Sequence, residues 1–339
     1  MNMFKNKSIL VTGGTGSFGQ SFVNFILKKT RAKKIIIFSR DELTQYEMQN
    51  KLFSEGHDRD RLRFWLGDVR DKSRLNLAFN EVDFVVHAAA LKQIPAAEYN
   101  PQECINTNVN GANNVIFAAL EQGVKKVVAL STDKASNPVN LYGATKLASD
   151  KLFVSANNLG GKRDTTFSLV RYGNVLNSRG SVIPFFKKLV SQNKESLPLT
   201  HEKMTRFFIK VEDGVKFVVD SFHRMKGGEI FVPKLPTIYI KDLIRSLGKN
   251  PKIVGVRPGE KLHEALCSRE ESHLTLEFKS HYVIKPSVWG ENNKNYNKDN
   301  KGEKGKSVKD QFEYTSLSNP NVLTVPKIKA LLKEIYWKW

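Results

Sequence analysis

Tyr142 and Lys146 stand four residues apart in the run Tyr142-Gly143-Ala144-Thr145-Lys146, which reads as the start of a helix, so both side chains share one helical face. An ammonium placed there favours the ionised phenol by opposite charge and can also grip the ribose of a dinucleotide. The phenolate is then a base for a substrate hydroxyl whose carbon gives up a hydride. Thr132, in the preceding run Ser131-Thr132-Asp133-Lys134, is placed to hydrogen-bond the same hydroxyl. These residues fall at the carboxyl end of an apolar run, where open α/β sheets gather their sites.

A second group lies near the start of the chain. Thr12-Gly13-Gly14-Thr15-Gly16-Ser17-Phe18-Gly19 follows an apolar run and opens a helical one. Gly13, Gly16 and Gly19 allow a tight turn and a close approach of the backbone to a pyrophosphate, with Thr15, Ser17 and Phe18 completing it. The helix that begins there turns its positive end to the phosphates. The next apolar run ends Ser39-Arg40-Asp41-Glu42. A carboxylate at that strand end holds the 2′-hydroxyl of NAD, whereas Arg40 suits the 2′-phosphate of NADP, although acidic residues follow it directly. NADP is the cofactor expected. Asp68-Val69, after the third run, are placed to meet the adenine, and Ala88, after the fourth, lets a cofactor lie against the backbone. Cys104 and Cys267 fit no metal spacing and no disulfide framework, so no metal is expected and both read as free thiols.

The elements that must position these groups follow from periodicity. Apolar runs at Ser8–Thr12, Lys34–Ser39, Leu62–Leu66, Asp83–His87, Lys126–Ser131 and Thr166–Arg171 alternate with amphipathic stretches such as Phe18–Lys29 and Pro101–Gln122. Continuous apolar strands separated by helices predict an α/β fold, a Rossmann-like doubly wound parallel sheet. Residues 1–175 form the cofactor domain in this scheme, with part of the C-terminal half returning to it. Residues 176–285 form mainly a smaller substrate lobe, with helices near Val182–Gln192, Val211–Arg224 and Ile240–Leu247 and strands near Glu229–Val232 and Lys252–Val256. In the extension 286–339, the Lys/Asn-rich tract Asn292–Lys309 has nothing to bury and is expected as a mobile loop, whereas Lys327–Trp339 regains the spacing of a docked helix.

The net charge of +20 attracts polyanions, but the lysines are spread over nearly every segment and no nucleic-acid motif accompanies them. Phosphorylated small molecules are the partners expected, not nucleic acid. No run of about 18 apolar residues exists, and the polar Met1–Lys7 passes straight into a strand. Neither a membrane span nor a signal peptide is expected, and the cytoplasm is the expected compartment.

With these motifs the chain resembles the extended short-chain dehydrogenase/reductase family. Within it, Ala129–Lys146 (ALSTDKASNPVNLYGATK) is similar to the soluble UDP-N-acetylglucosamine 4,6-dehydratases that invert C5 and serve bacterial pseudaminic acid synthesis. Ile9–Gly19, Ser39–Glu42, His87–Tyr99, Val170–Phe186, Met204–Phe207, Gly227–Pro233 and Arg257–Glu264 match the same group, so the likeness covers about residues 8–285. It implies a UDP-sugar substrate and a homo-oligomer, often a hexamer. It implies that Tyr142 removes the C4 hydroxyl proton as hydride passes to NADP, that Lys134 is the base at C5, and that Asp133 is the acid toward the departing C6 hydroxyl. It places Lys92 and Asn174 near the sugar and diphosphate, with Lys92 also toward the cofactor, and Arg257 and Glu260 near the nucleotide. Arg179 and Arg206 are phosphate partners by their guanidinium forks. One departure matters. The related retaining dTDP-glucose dehydratases carry Thr-Asp-Glu where this chain has Thr132-Asp133-Lys134. A lysine base must be neutral, so burial and nearby cations are expected to depress Lys134.

Two other readings bear on the same residues. A nucleotide-sugar 4-epimerase or 4-dehydrogenase needs Thr, Tyr and Lys but has no use for the Asp133–Lys134 pair. A non-catalytic NADP-binding regulatory protein keeps the glycine turn and usually loses Tyr or Lys, both of which are present here. The residues therefore favour 4,6-dehydration of UDP-N-acetylglucosamine with inversion at C5.

Overall fold

The computed structural model describes residues 2–159, 164–287 and 294–336. The first half alternates strand and helix: β1 (Ser8–Thr12), α1 (Ser17–Lys29), β2 (Lys34–Ser39), α2 (Glu42–Ser54), β3 (Leu62–Leu66), α3 (Lys72–Ala78) and β4 (Phe84–His87). Two short helices, α4 (Ile94–Tyr99) and α5 (Pro101–Ile105), lead through a π turn at Asn106–Asn110 into α6 (Gly111–Glu121). Then come β5 (Lys126–Thr132), α7 (Leu141–Ser155) and β6 (Thr166–Tyr172). The second half supplies β7 (Asn174–Val175), α8 (Val182–Ser191), β8 (Ser196–Leu199), β9 (Thr205–Ile209), α9 (Val211–Arg224), β10 (Ile230–Pro233), β11 (Thr237–Tyr239), α10 (Ile240–Ser246) and β12 (Asn250–Ile253). It ends with β13 (Ala265–Cys267), β14 (Thr275–Glu277), β15 (His281–Ile284), β16 (Lys306–Ser307), β17 (Tyr314–Thr315) and α11 (Val325–Tyr336).

Seven strands run parallel in the order β3-β2-β1-β4-β5-β6-β10, and β15, β14 and β16 extend that sheet antiparallel. β1, β4 and most of β2, β5 and β6 are buried because helices cover both faces of the sheet. The strand order reverses between β1 and β4, which opens a crevice at their carboxyl ends. Thr12 pairs in register with Phe38 and His87, so the glycine turn after β1 opens onto this edge. Thr132, the last residue of the parallel neighbour β5, ends at the same edge.

A smaller lobe stands over the crevice. β7, β9 and β11 form one small sheet, and β8 pairs with β12. Leu176, Ile183, Phe186, Phe208, Leu243 and Ile328 pack as its core, so α11 docks here through Ile328 and Leu332. Burying each such side chain contributes about 1.5–3 kcal/mol.

The structure departs from the expected elements in four places. Pro101–Gln122 is broken by the π turn rather than forming one α-helix, and the asparagine-rich turn bonds through Asn108 to the loop after β4. The strand expected at Lys252–Val256 lies earlier, at Asn250–Ile253, where it pairs with β8. α9 and β10 belong to the large sheet's layer. Phe222 of α9 packs on Phe4 and Phe84, and β10 pairs with β6. Finally, the premise that the Lys/Asn-rich tract has nothing to bury does not hold over its described residues, from 294 onward. Asp299 is buried beside Arg224, Tyr296 donates to the Gly227 carbonyl at 2.8 Å, and Asn300 donates to Met225 O at 2.7 Å. The tract satisfies polar groups at the end of α9, which apolar periodicity does not reveal.

Candidate active site

At the end of β1, Gly13 adopts φ 65°, and a Cβ there would stand 2.9 Å from Ala89 N and 3.0 Å from Ala88 C. Glycine is required by both the turn and the closeness of the next loop. Gly19 lets α1 lie on the turn, since its Cβ would meet Gly14 O at 2.4 Å. Gly16 forms the N-cap of α1 without a side-chain cap, which leaves first-turn N–H groups open to an anion. Thr15 is buried and its carbonyl accepts from Gln20; Phe18 stacks on Phe22. Ser17 Oγ accepts from the main-chain N–H of Arg179 at 2.9 Å. Arg179 thus sits beside the glycine turn, where its charge also reaches Asp41.

The second strand end is more engaged than expected. Ser39 is held by Gln45 at 2.9 Å, and Asp41 caps α2 by accepting from Thr44 N at 2.7 Å. Arg40, half-exposed, lies 3.6 Å from Asp68 Oδ2, and Asp68 also binds Arg70 at 2.7 Å. Val69 is buried against Gly111, and Ala88 N is 3.2 Å from Thr12 O.

Across the crevice, β5 and α7 bring Thr132, Asp133, Lys134 and Tyr142 together. Asn140 caps α7 by accepting from Gly143 N at 2.8 Å, and Gly143 is required because a Cβ would lie 2.2 Å from Lys134 O. Thr132 Oγ1 donates to Asp133 Oδ1 at 3.0 Å, and Lys134 Nζ donates to the same oxygen at 3.0 Å. Lys134 Nζ also lies 3.4 Å from Asn174 Oδ1 and 3.4 Å from Glu264 Oε1. Burial pushes the Tyr142 phenol up to about 12, against the Lys134 charge and a hydrogen bond with Thr132. Burial raises the Asp133 carboxyl too, opposed by Lys134 and reinforced by Glu264.

Lys134 corrects one expectation. Burial pushes its ammonium down, but the carboxylates of Asp133 and Glu264 outweigh burial and the Arg206 charge, so the net shift is upward. The missing factor was the second carboxylate, contributed from far along the chain. Desolvation and then the like charge of Lys134 hold Lys92, at the mouth of this cleft, below its ordinary range.

Behind the cleft, Lys146 Nζ donates to Leu130 O at 2.7 Å, and burial lowers its ammonium against the pull of Asp150. Asp150 Oδ2 accepts from Ser131 Oγ at 2.7 Å and from Arg171 at 3.3 Å. Arg171, fully buried, continues to Glu271 at 2.9 Å and Leu266 O at 3.2 Å. On the open side, Arg257 is exposed and pairs with Glu260, and Asn140 Nδ2 donates to Gly259 O at 2.8 Å. This ties the Arg257–Lys261 segment to the start of α7. Arg206 is buried and donates to the carbonyls of Thr205, Lys261 and Leu262, a structural use of its fork rather than an open phosphate contact.

Residues 9–286 match the model of a polysaccharide biosynthesis protein family. Two Campylobacter jejuni relatives, both UDP-N-acetylglucosamine 4,6-dehydratases (inverting), are 56% identical, one of them over 321 residues that make up 94% of this chain and 95% of its own. A UDP-glucose 4-epimerase of Rickettsia felis is 42% identical over 83% of this chain and 84% of its own. Among solved structures, Pen from Bacillus thuringiensis superimposes with a TM-score of 0.86 at 33% identity, covering 98% of this chain and 99% of Pen. The dTDP-glucose 4,6-dehydratase DesIV of Streptomyces venezuelae, with NAD bound, reaches 0.66 at 25% identity, over 75% of this chain and 86% of DesIV. With both the glycine turn and the Thr-Tyr-Lys cleft inside the matched span, the chain belongs to the polysaccharide biosynthesis protein family, built on a Rossmann frame of the short-chain dehydrogenase/reductase type.

Proposed function

We propose that the protein dehydrates UDP-N-acetylglucosamine across C5 and C6 and inverts C5, with NADP as a cofactor regenerated in each turnover. The observation that carries this reading is the buried Asp133–Lys134 pair, 3.0 Å apart and beside Thr132. A simple oxidation or epimerisation at C4 leaves that pair without work. The dehydratases at 56% identity support the same reading.

The residues present suit a dinucleotide. Gly13 allows close approach, the uncapped start of α1 would hold the phosphates, and Arg40 with Arg179 would flank a 2′-phosphate. When bound, the nicotinamide supplies the acceptor for the C4 hydride and its donor to C6. To take the O4 proton Tyr142 must first be ionised, which the positive charge of a bound nicotinamide would favour against the burial that raises the phenol here. Thr132 would hold that oxygen, and the resulting ketone makes the C5 proton acidic. One proton passing from Lys134 Nζ to Asp133 Oδ1 leaves a neutral amine and a protonated carboxyl. The amine then takes the C5 proton, and Asp133 gives its proton to the C6 hydroxyl, which leaves as water. The exchangeable proton that Tyr142 took from O4 would return to C5 on its other face, which closes the proton count and sets the inverted configuration. Lys92 and Asn174, at the rim, would orient the sugar and diphosphate, and Arg257 with Glu260 the nucleotide.

Incubation with UDP-N-acetylglucosamine in D₂O, read by product NMR, tests the proposal. A 4-keto-6-deoxy sugar of L-arabino configuration, deuterated at C5, is expected. A C4 epimer with unlabelled C5 would overturn it. NADP should bind more tightly than NAD, and Arg40→Ala should erase the difference. Homo-oligomeric assembly in the cytoplasm belongs to the same proposal. Among the described residues no helix is long and apolar enough to cross a membrane, and sedimentation reads the assembly.

A further inference from the structure

Glu264, which the motif pattern did not single out, is 2% exposed and stands at the centre of the cleft's charges. Its Oε1 lies 3.4 Å from Lys134 Nζ and 3.9 Å from Arg206 Nε, and its Oε2 lies 3.5 Å from Lys261 Nζ. The main chain fixes it there. Ser316 Oγ accepts from Glu264 N at 3.0 Å, and Glu264 O accepts from Ser316 N at 2.8 Å. Ser316 in turn bonds Thr205 at 2.8 Å, so the extension after residue 286 holds the carboxylate in place.

We infer that Glu264 is a positioning residue that sets how many protons the Asp133–Lys134 pair carries at working pH, by holding one negative charge against Lys134 and occupying Arg206 and Lys261. The inference rests on the dehydratase reading for its purpose but not for its test. The charged or titratable groups acting on the pair are Glu264 from the segment before β13, Arg206 from β9, Lys92 from the loop after β4 and Tyr142 from α7, while Lys261 reaches it through Glu264 and His263 stands beside Arg206.

The pair works with one proton shared between its members, Asp133 protonated and Lys134 neutral. Activity therefore lies in a bell between the pair's two macroscopic titrations. A nearby carboxylate raises both titrations, because it disfavours each loss of positive charge. Removing Glu264's charge should slide the whole bell to lower pH rather than narrow it. Removing the Lys261 cation should slide it the other way.

The experiment compares wild type, Glu264→Gln and Lys261→Met. The pH profile of kcat is measured with UDP-N-acetylglucosamine and saturating NADP. Independently of turnover, the Asp133 carboxyl carbon is titrated by NMR in protein labelled with ¹³C-aspartate, assigned by Asp133→Asn. Expected is an acid shift of both limbs and of the carboxyl titration by about one unit or more in Glu264→Gln, and an alkaline shift in Lys261→Met. A Glu264→Gln bell or titration that superimposes on wild type overturns the inference. If Glu264→Gln does not fold, an unshifted Lys261→Met overturns it. Wild type that makes no 4-keto product while the titrations shift refutes the dehydratase reading and upholds the role of Glu264.

Discussion

Replacing Arg171 by Met is the sharpest probe of the charge network behind the cleft. Arg171 is fully buried and is held by Asp150 at 3.3 Å, Glu271 at 2.9 Å and Leu266 O at 3.2 Å. Arg171→Met keeps most of the volume but leaves Asp150, itself 1% exposed, with Ser131 and the Lys146 charge as its support. Breaking one side of a buried pair costs about 3–5 kcal/mol. For 339 residues, an unfolding entropy of about 2.1 cal/mol/K per residue makes each kcal/mol worth about 1.4 °C in Tm. The variant should therefore melt about 4–7 °C lower. Burial already raises the Asp150 carboxyl, and losing Arg171 raises it further. A carboxyl whose folded pKa lies above its unfolded value costs stability when ionised, and protonation relieves that cost. The deficit should therefore be largest at neutral pH and should shrink toward pH 5. The double variant Arg171→Met with Asp150→Asn removes the bare Asp150 charge, leaves only the partly exposed Glu271 without its cation, and should recover at least half of the loss. Calorimetry at matched scan rates reads all four proteins. A deficit that does not change with pH, together with additive single variants, would refute the coupling.

Three further outcomes follow from the site. Tyr142→Phe should lower kcat by about 10²–10⁴-fold while NADP affinity, read by fluorescence quenching, stays within a factor of a few. In the cofactor-free protein the Tyr142 phenol, pushed up to about 12, should contribute no tyrosinate absorbance at pH 9, and ultraviolet difference spectra against Tyr142→Phe measure this. Gly19→Ala forces its new methyl to within 2.4–2.6 Å of the Gly14 backbone and should cost about 1–3 kcal/mol. Calorimetry and NADP titration read that cost, since every 1.4 kcal/mol lost from the turn is about tenfold in Kd.

The parallel half was legible because strands covered on both faces must be apolar throughout. β1, β2 and β3 match the apolar runs residue for residue, and β4, β5 and β6 differ by one residue at an end. The closeness of Tyr142 to Thr132 was also legible, because a strand end and the next helix are joined by a short link. Glu264 was not. It meets Lys134 only through the fold, from 130 residues away, and an isolated glutamate between Leu262 and Leu266 carries no spacing of its own. The sheet that β10 would join was hidden for the same reason, since a short apolar run does not name its neighbour. Arg206 and Arg179 were legible as charges but not as neighbours: one spends its fork on carbonyls, and the other sits at the glycine turn.

The π turn before α6 has a consequence for recombining this chain with its relatives. Asn108, on that turn, accepts from Leu91 N at 2.8 Å and donates to Leu91 O at 2.9 Å and to Thr145 Oγ1 at 3.0 Å. One amide thereby laces the loop carrying Lys92 to the helix carrying Tyr142. Because each helical residue turns the chain by about 100°, losing a single residue upstream of it would swing that amide away from both neighbours. A chimera with a crossover between 91 and 145 needs matched lengths on both sides, whereas one that swaps the whole block carries the stitch along intact.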